Sequence, residues 1–269
     1  MKFFTKPLAK QIRSAKLRHT ELETKEKDMK MHLRLVTAAA LTLSVCAIEA
    51  GNITGKVTLK GTPPPNKSFK MDPICGRFHP INKFEMEFYK VAKDGSLGDV
   101  LVTLKGVKGK TPGSAAAPVV IDQVNCIYIP YVSSAQTGQT ITVKNSDPLM
   151  HNVHPTPKNV AGGNKEKNIA QVIKGQKNNF SFPAPERFLR FKCDIHQWMY
   201  SYISIEEHPW SAVTAADGTF TIKNVPPGDY EVEAVHRKIH FAKDYQGDVQ
   251  KVKVTADGGK ANFTLNVPK

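Results

Sequence analysis

The sequence is short of acidic residues, of cysteines and of long apolar runs. Its 269 residues include 24 Asp and Glu against 38 Lys and Arg, for a net charge of +14, and only 4 cysteines. The longest apolar run, residues 35–48, falls short of the about 20 residues that a membrane-spanning helix needs. No repeat with a period of about 20–50 residues is visible, which argues against repeat architectures. The basic charge favours acidic partners or acidic membranes, and it is all that would favour nucleic acid binding, which we do not expect.

The apolar run at residues 35–48 is typical of the central part of a secretory signal peptide. Lys30 and Arg34 precede it and small residues follow it, so we expect cleavage near Ala47 or Ala50. The mature protein is then periplasmic or otherwise extracytoplasmic. An uncleaved anchor is the alternative, which leaves membrane association open.

Export makes a disulfide bridge possible. Cys46 would leave with the signal peptide, and Cys193 lies in a motif that predicts a metal ligand. Cys75 and Cys126 then remain as a pair that could form a disulfide. Two free, buried thiols are the alternative.

Beyond residue 50 the sequence predicts an all-β protein. Alternating or β-branched segments such as Ile53–Leu59 and Thr140–Val143 recur, and turn sequences such as Asp217-Gly218 separate them. Many short strands spaced in this way indicate sandwiches or barrels. The lysine-rich residues 158–179 are predicted to form a solvated loop.

A short motif carries the chemistry of the chain. The heptapeptide Cys193-Asp194-Ile195-His196-Gln197-Trp198-Met199 brings a thiol, an imidazole and a thioether into one loop, and His151 lies upstream. Two imidazoles and one thiolate in a plane, with a weak axial thioether, form the ligand set of a blue copper electron-transfer site. The sulfur ligands suit Cu(I), while imidazoles suit both Cu(I) and Cu(II). The sequence therefore predicts one type 1 copper ion per chain.

Residues 119–205 resemble a cupredoxin, and most of all the small amicyanin- and plastocyanin-type blue copper proteins. The matching stretches are Gly138–Asn145, Met150–His154, Phe180–Phe182 and Cys193–Met199. The resemblance implies a Greek-key sandwich of two sheets with copper at one end. It implies that His151, Cys193 and His196 are equatorial ligands, that Met199 is the axial ligand, and that Asn152 ties two loops together beside the metal.

The chain departs from the common cupredoxin pattern in two places. Ser201 stands where a glycine often follows the methionine, and Phe188–Phe191 replaces the usual approach to the cysteine. Neither change removes a ligand. His154 is an alternative to His151 as the distant ligand. Zinc is an alternative metal, although methionine is a poor zinc ligand.

The C-terminal part resembles a second kind of β module. Asp217-Gly218-Thr219-Phe220 and Pro226–Tyr230 are similar to segments of carboxypeptidase-regulatory-like or transthyretin-like sandwiches. Because such a short segment has a small core, we expect the residues before the cupredoxin to complete it, so that the cupredoxin is inserted into a split sandwich. The predicted parts are an N-terminal extension and signal peptide at 1–50, an N-terminal β segment at 51–116, the cupredoxin at 117–207 and the C-terminal module at 208–269.

These observations predict an exported blue copper protein that carries single electrons between redox partner proteins. We expect electrons to pass through an exposed edge of His196, and we expect no small-molecule substrate. The chain has no His-x-His pair of the kind that multicopper enzymes use for their further copper centres, so it is not expected to be an enzyme. A periplasmic copper carrier or store, and a surface interaction protein with an accessory copper site, are the alternatives.

Overall fold

The computed structural model describes residues 49–243, 245 and 247–268. The predicted signal peptide and Cys46 lie outside these residues. No helix in the described part is long and apolar enough to cross a membrane.

The described residues form an all-β protein, as predicted, with a single four-residue α-helix, α1 (Arg237–His240), and short 3-10 turns at Cys75–Phe78, Pro80–Asn82 and Gly113–Ala115. The strands are β1 (Gly51–Lys60), β2 (Lys67–Lys70), β3 (Lys83–Met86), β4 (Val100–Leu104), β5 (Val119–Val124), β6 (Ile127–Ile129), β7 (Val132–Gln136), β8 (Ile141–Asn145), β9 (His151–Thr156), β10 (Ile169–Gln171), β11 (Lys177–Phe180), β12 (Glu186–Lys192), β13 (Tyr200–Glu206), β14 (Ser211–Val213), β15 (Thr219–Val225), β16 (Gly228–His236), β17 (Asp248–Val254) and β18 (Gly259–Asn266).

The middle of the chain forms a cupredoxin-like sandwich. One sheet has the strand order β10-β9-β12-β13-β7 and the other has the order β11-β8-β5-β6. In β8 the side chains alternate between buried and half-buried, as expected for a strand with one face on a core. Phe180 and Phe182 both contact the ring of Phe191 edge to face inside this core. Aromatic pairs in this arrangement contribute about 0.5–1.5 kcal/mol beyond the area they bury.

Two strands of this sandwich fall in the lysine-rich residues 158–179, which were expected to form a loop. The expectation is wrong because β10 is a short strand that ends in a buried glutamine and β11 is mainly polar. Gln171 of β10 is buried and donates hydrogen bonds to the backbone oxygen of Val143 (2.9 Å) and to Asn178 of β11 (3.0 Å). Side-chain hydrogen bonds satisfy the polar groups here, so the strands lack an apolar alternation.

A second sandwich is built from both sides of the cupredoxin-like part. Its sheets have the orders β15-β1-β18 and β14-β4-β16-β17. The central strand β1 pairs antiparallel with β15 and parallel with β18. β4, which also precedes the cupredoxin-like part, pairs with β14 and β16. The second sandwich is therefore split around the first, while the boundaries at 117 and 208 stay a prediction.

Residues 67–86 form a separate small element, which we call the cover segment. Its strands β2 and β3 pair only with each other among the described strands. Met71 and Cys75 are buried in the same core as Phe191. Cys75 is joined by a disulfide bridge to Cys126, the pair that the sequence predicted. The bridge fixes the cover segment to the turn between β5 and β6.

Candidate metal centre

The four predicted ligands lie at the ends of strands or in the loop that joins two strands of the cupredoxin-like sandwich. His151 is the first residue of β9, and Cys193 directly follows β12. His196 and Met199 lie in the loop between β12 and β13. Two backbone hydrogen bonds fold this loop back on itself, from the N–H of Cys193 to the oxygen of Met199 (3.0 Å) and from the N–H of Met199 to the oxygen of His196 (2.9 Å). The loop geometry turns both side chains of the Cys-x-x-His pair inward.

Three of these residues bring their donor atoms together. The ligand atoms of His151, Cys193 and His196 all lie within 4.8 Å of one another, and all three side chains are buried. The two Nδ1 atoms are 3.2 Å apart, and Nδ1 of His196 is 3.6 Å from Sγ of Cys193. Two imidazole nitrogens and a thiol sulfur thus face a common point inside the protein.

Met199 is fully buried beside this group. It belongs to the same core cluster as Cys193 and Trp198. The thioether is therefore buried in the same core as the thiol of Cys193. Its axial role stays a prediction.

A carboxylate orients His151. Oδ2 of Asp147 is 2.8 Å from Nε2 of His151, and the same carboxylate accepts hydrogen bonds from the backbone N–H groups of Asn125 (2.6 Å) and Cys126 (2.8 Å). Burial lowers the pKa of His151, but the hydrogen bond to Asp147 and the nearby Cys193 outweigh it and raise the pKa overall. With a proton on Nε2, the Nδ1 lone pair faces the other ligands. Such outer hydrogen bonds fix the tautomer and direction of metal-binding histidines.

The thiol of Cys193 is activated by its neighbours. Burial raises its pKa, but hydrogen bonds with His151 and His196 and with the N–H of Asn152 more than reverse this and bring the pKa from 9.0 to about 6. The thiolate, which is the form that binds metals, is therefore the main form near neutral pH.

Asn152 links the strand of His151 to the loop of Cys193. Its Oδ1 accepts a hydrogen bond from the backbone N–H of Asp194 (2.6 Å), and its Nδ2 donates to Oδ1 of Asn168 (2.6 Å). The alternative ligand His154 lies elsewhere. Its Nδ1 is 2.6 Å from Asp194 and its Nε2 contacts Glu166, so both ring nitrogens are occupied outside the buried group.

The edge of His196 is covered, so the expectation of an exposed edge is wrong. His196 is only 7% exposed, and its Nε2 lies 3.6 Å from Oδ2 of Asp72 and 3.6 Å from Sγ of Cys75. Both residues belong to the cover segment, whose position the sequence did not predict. The available signal was the predicted Cys75–Cys126 bridge, with Asp72 three residues before its first cysteine.

Trp198 also contacts His196. The two ring centroids are 5.3 Å apart, and the indole N–H donates to the backbone oxygen of Cys126 at 2.9 Å. Trp198 also lines an open cleft of about 390 Å³. The cleft is rich in aromatic side chains, namely Phe84, Tyr128, Tyr131, Trp198 and Tyr200.

Comparison with known proteins gives partial similarities. The model of the β-sandwich domain of ER membrane protein complex subunit 7 matches residues 195–267, which replaces the carboxypeptidase-regulatory-like or transthyretin-like module that the sequence predicted. A comparison with curated proteins finds no match.

Three solved structures are similar to part of the chain. A Cu-containing nitrite reductase (NirK) from Thermus scotoductus SA-01 is 21% identical over 38% of this chain and 24% of its own, with a TM-score of 0.30. An oxidized amicyanin variant is 20% identical over 39% of this chain and 98% of its own, also with a TM-score of 0.30. A purple cupredoxin from Nitrosopumilus maritimus is 21% identical over 34% of this chain and 100% of its own, with a TM-score of 0.28. The chain thus spans less than a quarter of the length of the nitrite reductase.

Proposed function

We propose that the protein is an exported type 1 copper protein that carries single electrons between redox partner proteins. The observation that carries the proposal is the convergence of His151, Cys193 and His196, whose donor atoms lie within 4.8 Å of one another in a buried position. The donor set fits copper because it combines two imidazole nitrogens with one thiolate, and a buried thioether lies in the same loop. Bound copper supplies the one-electron chemistry by cycling between its +1 and +2 states.

The residues around the group favour a rigid site. Asp147 holds His151 in one tautomer, and the link from Asn152 to Asp194 holds the loop of Cys193 against β9. A site held in this way changes little when the charge of its metal changes, and a small change in geometry keeps electron transfer fast. Burial of the three ligands also keeps water away from the thiolate.

We propose Trp198 as the route by which electrons leave the site. The covered edge of His196 cannot meet a partner directly, whereas the indole ring contacts His196 and lines the aromatic cleft.

The disulfide supports an extracytoplasmic location. Structural disulfides persist in oxidising compartments and are rare in the cytosol. The family model that matches residues 195–267 describes a subunit of an ER membrane complex, which is consistent with a location outside the cytoplasm.

Two other functions each have one observation in their favour. A periplasmic copper carrier or store is favoured by the cover over His196, because a closed site retains metal and slows contact with redox partners. An interaction subunit with an accessory copper site is favoured by the family match at residues 195–267. A reduction potential that redox partners cannot reach would select the carrier or store, and co-purification of a stable membrane complex would select the subunit.

Optical and EPR spectra of the copper-loaded protein test the proposal. We expect an intense visible band from thiolate-to-copper charge transfer in the wild type and its loss in Cys193→Ser. His154→Gln is the matched control, because His154 lies outside the buried group, and it should keep the band. A colourless Cu(II) protein, or a band that survives Cys193→Ser, would rule out the type 1 site.

A further inference from the structure

The disulfide bridge lies beside the two candidate histidine ligands, on the side away from Cys193. Sγ of Cys75 is 3.6 Å from Nε2 of His196, the ring nitrogen that points away from Cys193. On the other half of the bridge, the backbone N–H of Cys126 donates to the same Asp147 oxygen that bonds Nε2 of His151. Cys75 therefore contacts the outer side of His196 directly. Cys126 is connected to the outer side of His151 through the carboxylate of Asp147.

Each sulfur of the bridge also belongs to a group of metal-binding side chains. Asp72, Cys75 and His196 bring one ligand atom each to within 4.8 Å of one another, and so do Cys126, Asp147 and His151. In the disulfide form neither sulfur is a thiolate, and the thiolate is the form that binds metals. The two groups share the bridge, so its reduction would release two soft ligands at one place.

We propose that reduction of the Cys75–Cys126 disulfide creates a second copper site, in which the two thiolates bind Cu(I) on the outer side of the site of His151, Cys193 and His196. A dithiol reductant supplies two electrons and two protons, the S–S bond breaks, two thiols form, and the reductant becomes a disulfide. Cu(I) then displaces the two thiol protons and keeps its oxidation state. Thiolates are the ligands that select Cu(I).

The fold makes this site compatible with the native backbone. The Cα atoms of Cys75 and Cys126 are 5.7 Å apart, so after reduction the two side chains can rotate to place both thiolates on one ion without movement of the backbone. Both cysteines are fully buried, and a reductant reaches them when the cover segment opens locally. Its strands pair only with each other among the described strands, and Ile74 beside the bridge is 56% exposed. Segments with few long-range contacts open at a lower free energy than the core.

The proposal deepens the proposed copper function and rests on it for its biological role, but its test does not need the inner site. The protein used is Cys193→Ser, which lacks the thiolate of that site. It is reduced with a phosphine, freed of reductant and titrated with Cu(I) in competition with bathocuproine disulfonate under anaerobic conditions. We expect one more Cu(I) per chain in the reduced form than in the oxidised form.

Two controls make the result specific. Cys75→Ala with Cys193→Ser, and Cys126→Ala with Cys193→Ser, each keep the remaining cysteines and should lose the additional Cu(I). Far-UV circular dichroism of the reduced variants checks that the β fold is retained. Equal Cu(I) uptake in the reduced and oxidised Cys193→Ser protein, or undiminished uptake without Cys75, would overturn the proposal. Failure of the oxidised wild type to show a Cys193-dependent copper band would instead overturn the proposed function and leave this result standing.

Discussion

Nε2 of His196 lies 3.6 Å from Sγ of Cys75, so the outer edge of this candidate ligand faces a disulfide bridge instead of solvent. The bridge holds the cover segment in place, and the cover segment closes the end of the sandwich where the ligands meet. A metal at this site is therefore more enclosed than the sequence motif indicates. Under the proposed function, metal would exchange through the cover, and electrons would pass through Trp198.

Asp147→Asn should weaken metal binding. The substitution removes the charge that holds the proton on Nε2 of His151, and with it the preference of Nδ1 for the metal. Loss of such an outer partner typically costs about 10–100-fold in metal affinity. Competition with a chelator for Cu(II) or Co(II) measures the change. Asp122→Asn is the matched control, because Asp122 bonds Ser146 and Lys144 instead of a ligand, and an equal loss in both variants would exclude the orienting role of Asp147.

Met199→Leu should raise the reduction potential while the blue colour remains. Leucine has nearly the volume of methionine but offers no donor, so Cu(II) loses an axial contact that Cu(I) needs less. A swap of similar volume in a fully buried position costs less than about 1.5 kcal/mol, so the fold should persist. Voltammetry measures the potential. Met86→Leu, at a buried methionine of the cover segment, should leave it unchanged, and an unchanged potential in Met199→Leu would remove Met199 from the ligand set.

How far the sequence could predict the site depends on how local each feature is. Cys193, His196 and Met199 share one loop, so their spacing alone indicates a metal site. His151 could be predicted as a ligand only from the resemblance to a family, because it is far from the loop in sequence and comes close to it only in the folded protein. Asp147 and Asp72 carry no pattern of their own, since an acidic residue in a turn is common and only its contact with a histidine gives it a role.

The same reasoning applies to the fold. Strands such as β8 alternate between buried and half-buried positions, and the sequence predicts them. Gln171 of β10 is buried and hydrogen-bonds to the half-buried Asn178 of β11, and a network of this kind has no apolar periodicity to detect. The cover segment has short strands with few buried residues, so only its disulfide cysteine indicated that it lies against the cupredoxin-like part.

His236 should make the protein less stable as the pH falls. Burial, together with the positive charges of Arg237 and Lys238, lowers its pKa from 6.5 to about 3. The unfolded chain binds a proton at this residue below about pH 6.5 and the folded protein does not until about pH 3. The free energy of unfolding therefore falls as the pH drops through this interval, by up to about 1.4 kcal/mol per pH unit from this residue.

His236→Phe tests this pH dependence. The phenyl ring keeps the stacking on Tyr89, whose ring centroid is 4.6 Å from that of His236, and it cannot take up a proton. Denaturant unfolding between about pH 4 and pH 7 should give a shallower pH dependence in the variant than in the wild type. Parallel curves would mean that His236 is not held neutral in the folded protein.

Gly55→Ala should destabilise the protein through the second sandwich. Gly55 lies in the middle of β1, between β15 and β18, and a methyl group there would press directly on the backbone oxygen of Ala261 and lie 2.9 Å from the ring of Phe220. Backbone atoms cannot rotate away, so the strands must separate. Overpacking of this kind costs about 1–3 kcal/mol or more. Thr54→Ala, at the exposed neighbour in the same strand, should change the stability by less than about 0.5 kcal/mol.

The same variant also tests how the two sandwiches depend on each other. β1 precedes the cupredoxin-like part in sequence and pairs with β15 and β18, which follow that part. The second sandwich therefore holds the two ends of the inserted cupredoxin-like part together. If the two unfold together, the copper band of Gly55→Ala should disappear at the same denaturant concentration as its β-sheet circular dichroism signal, and both midpoints should fall below those of the wild type. A copper band with the wild-type midpoint in Gly55→Ala would mean that the inserted sandwich keeps its fold when the surrounding one has opened.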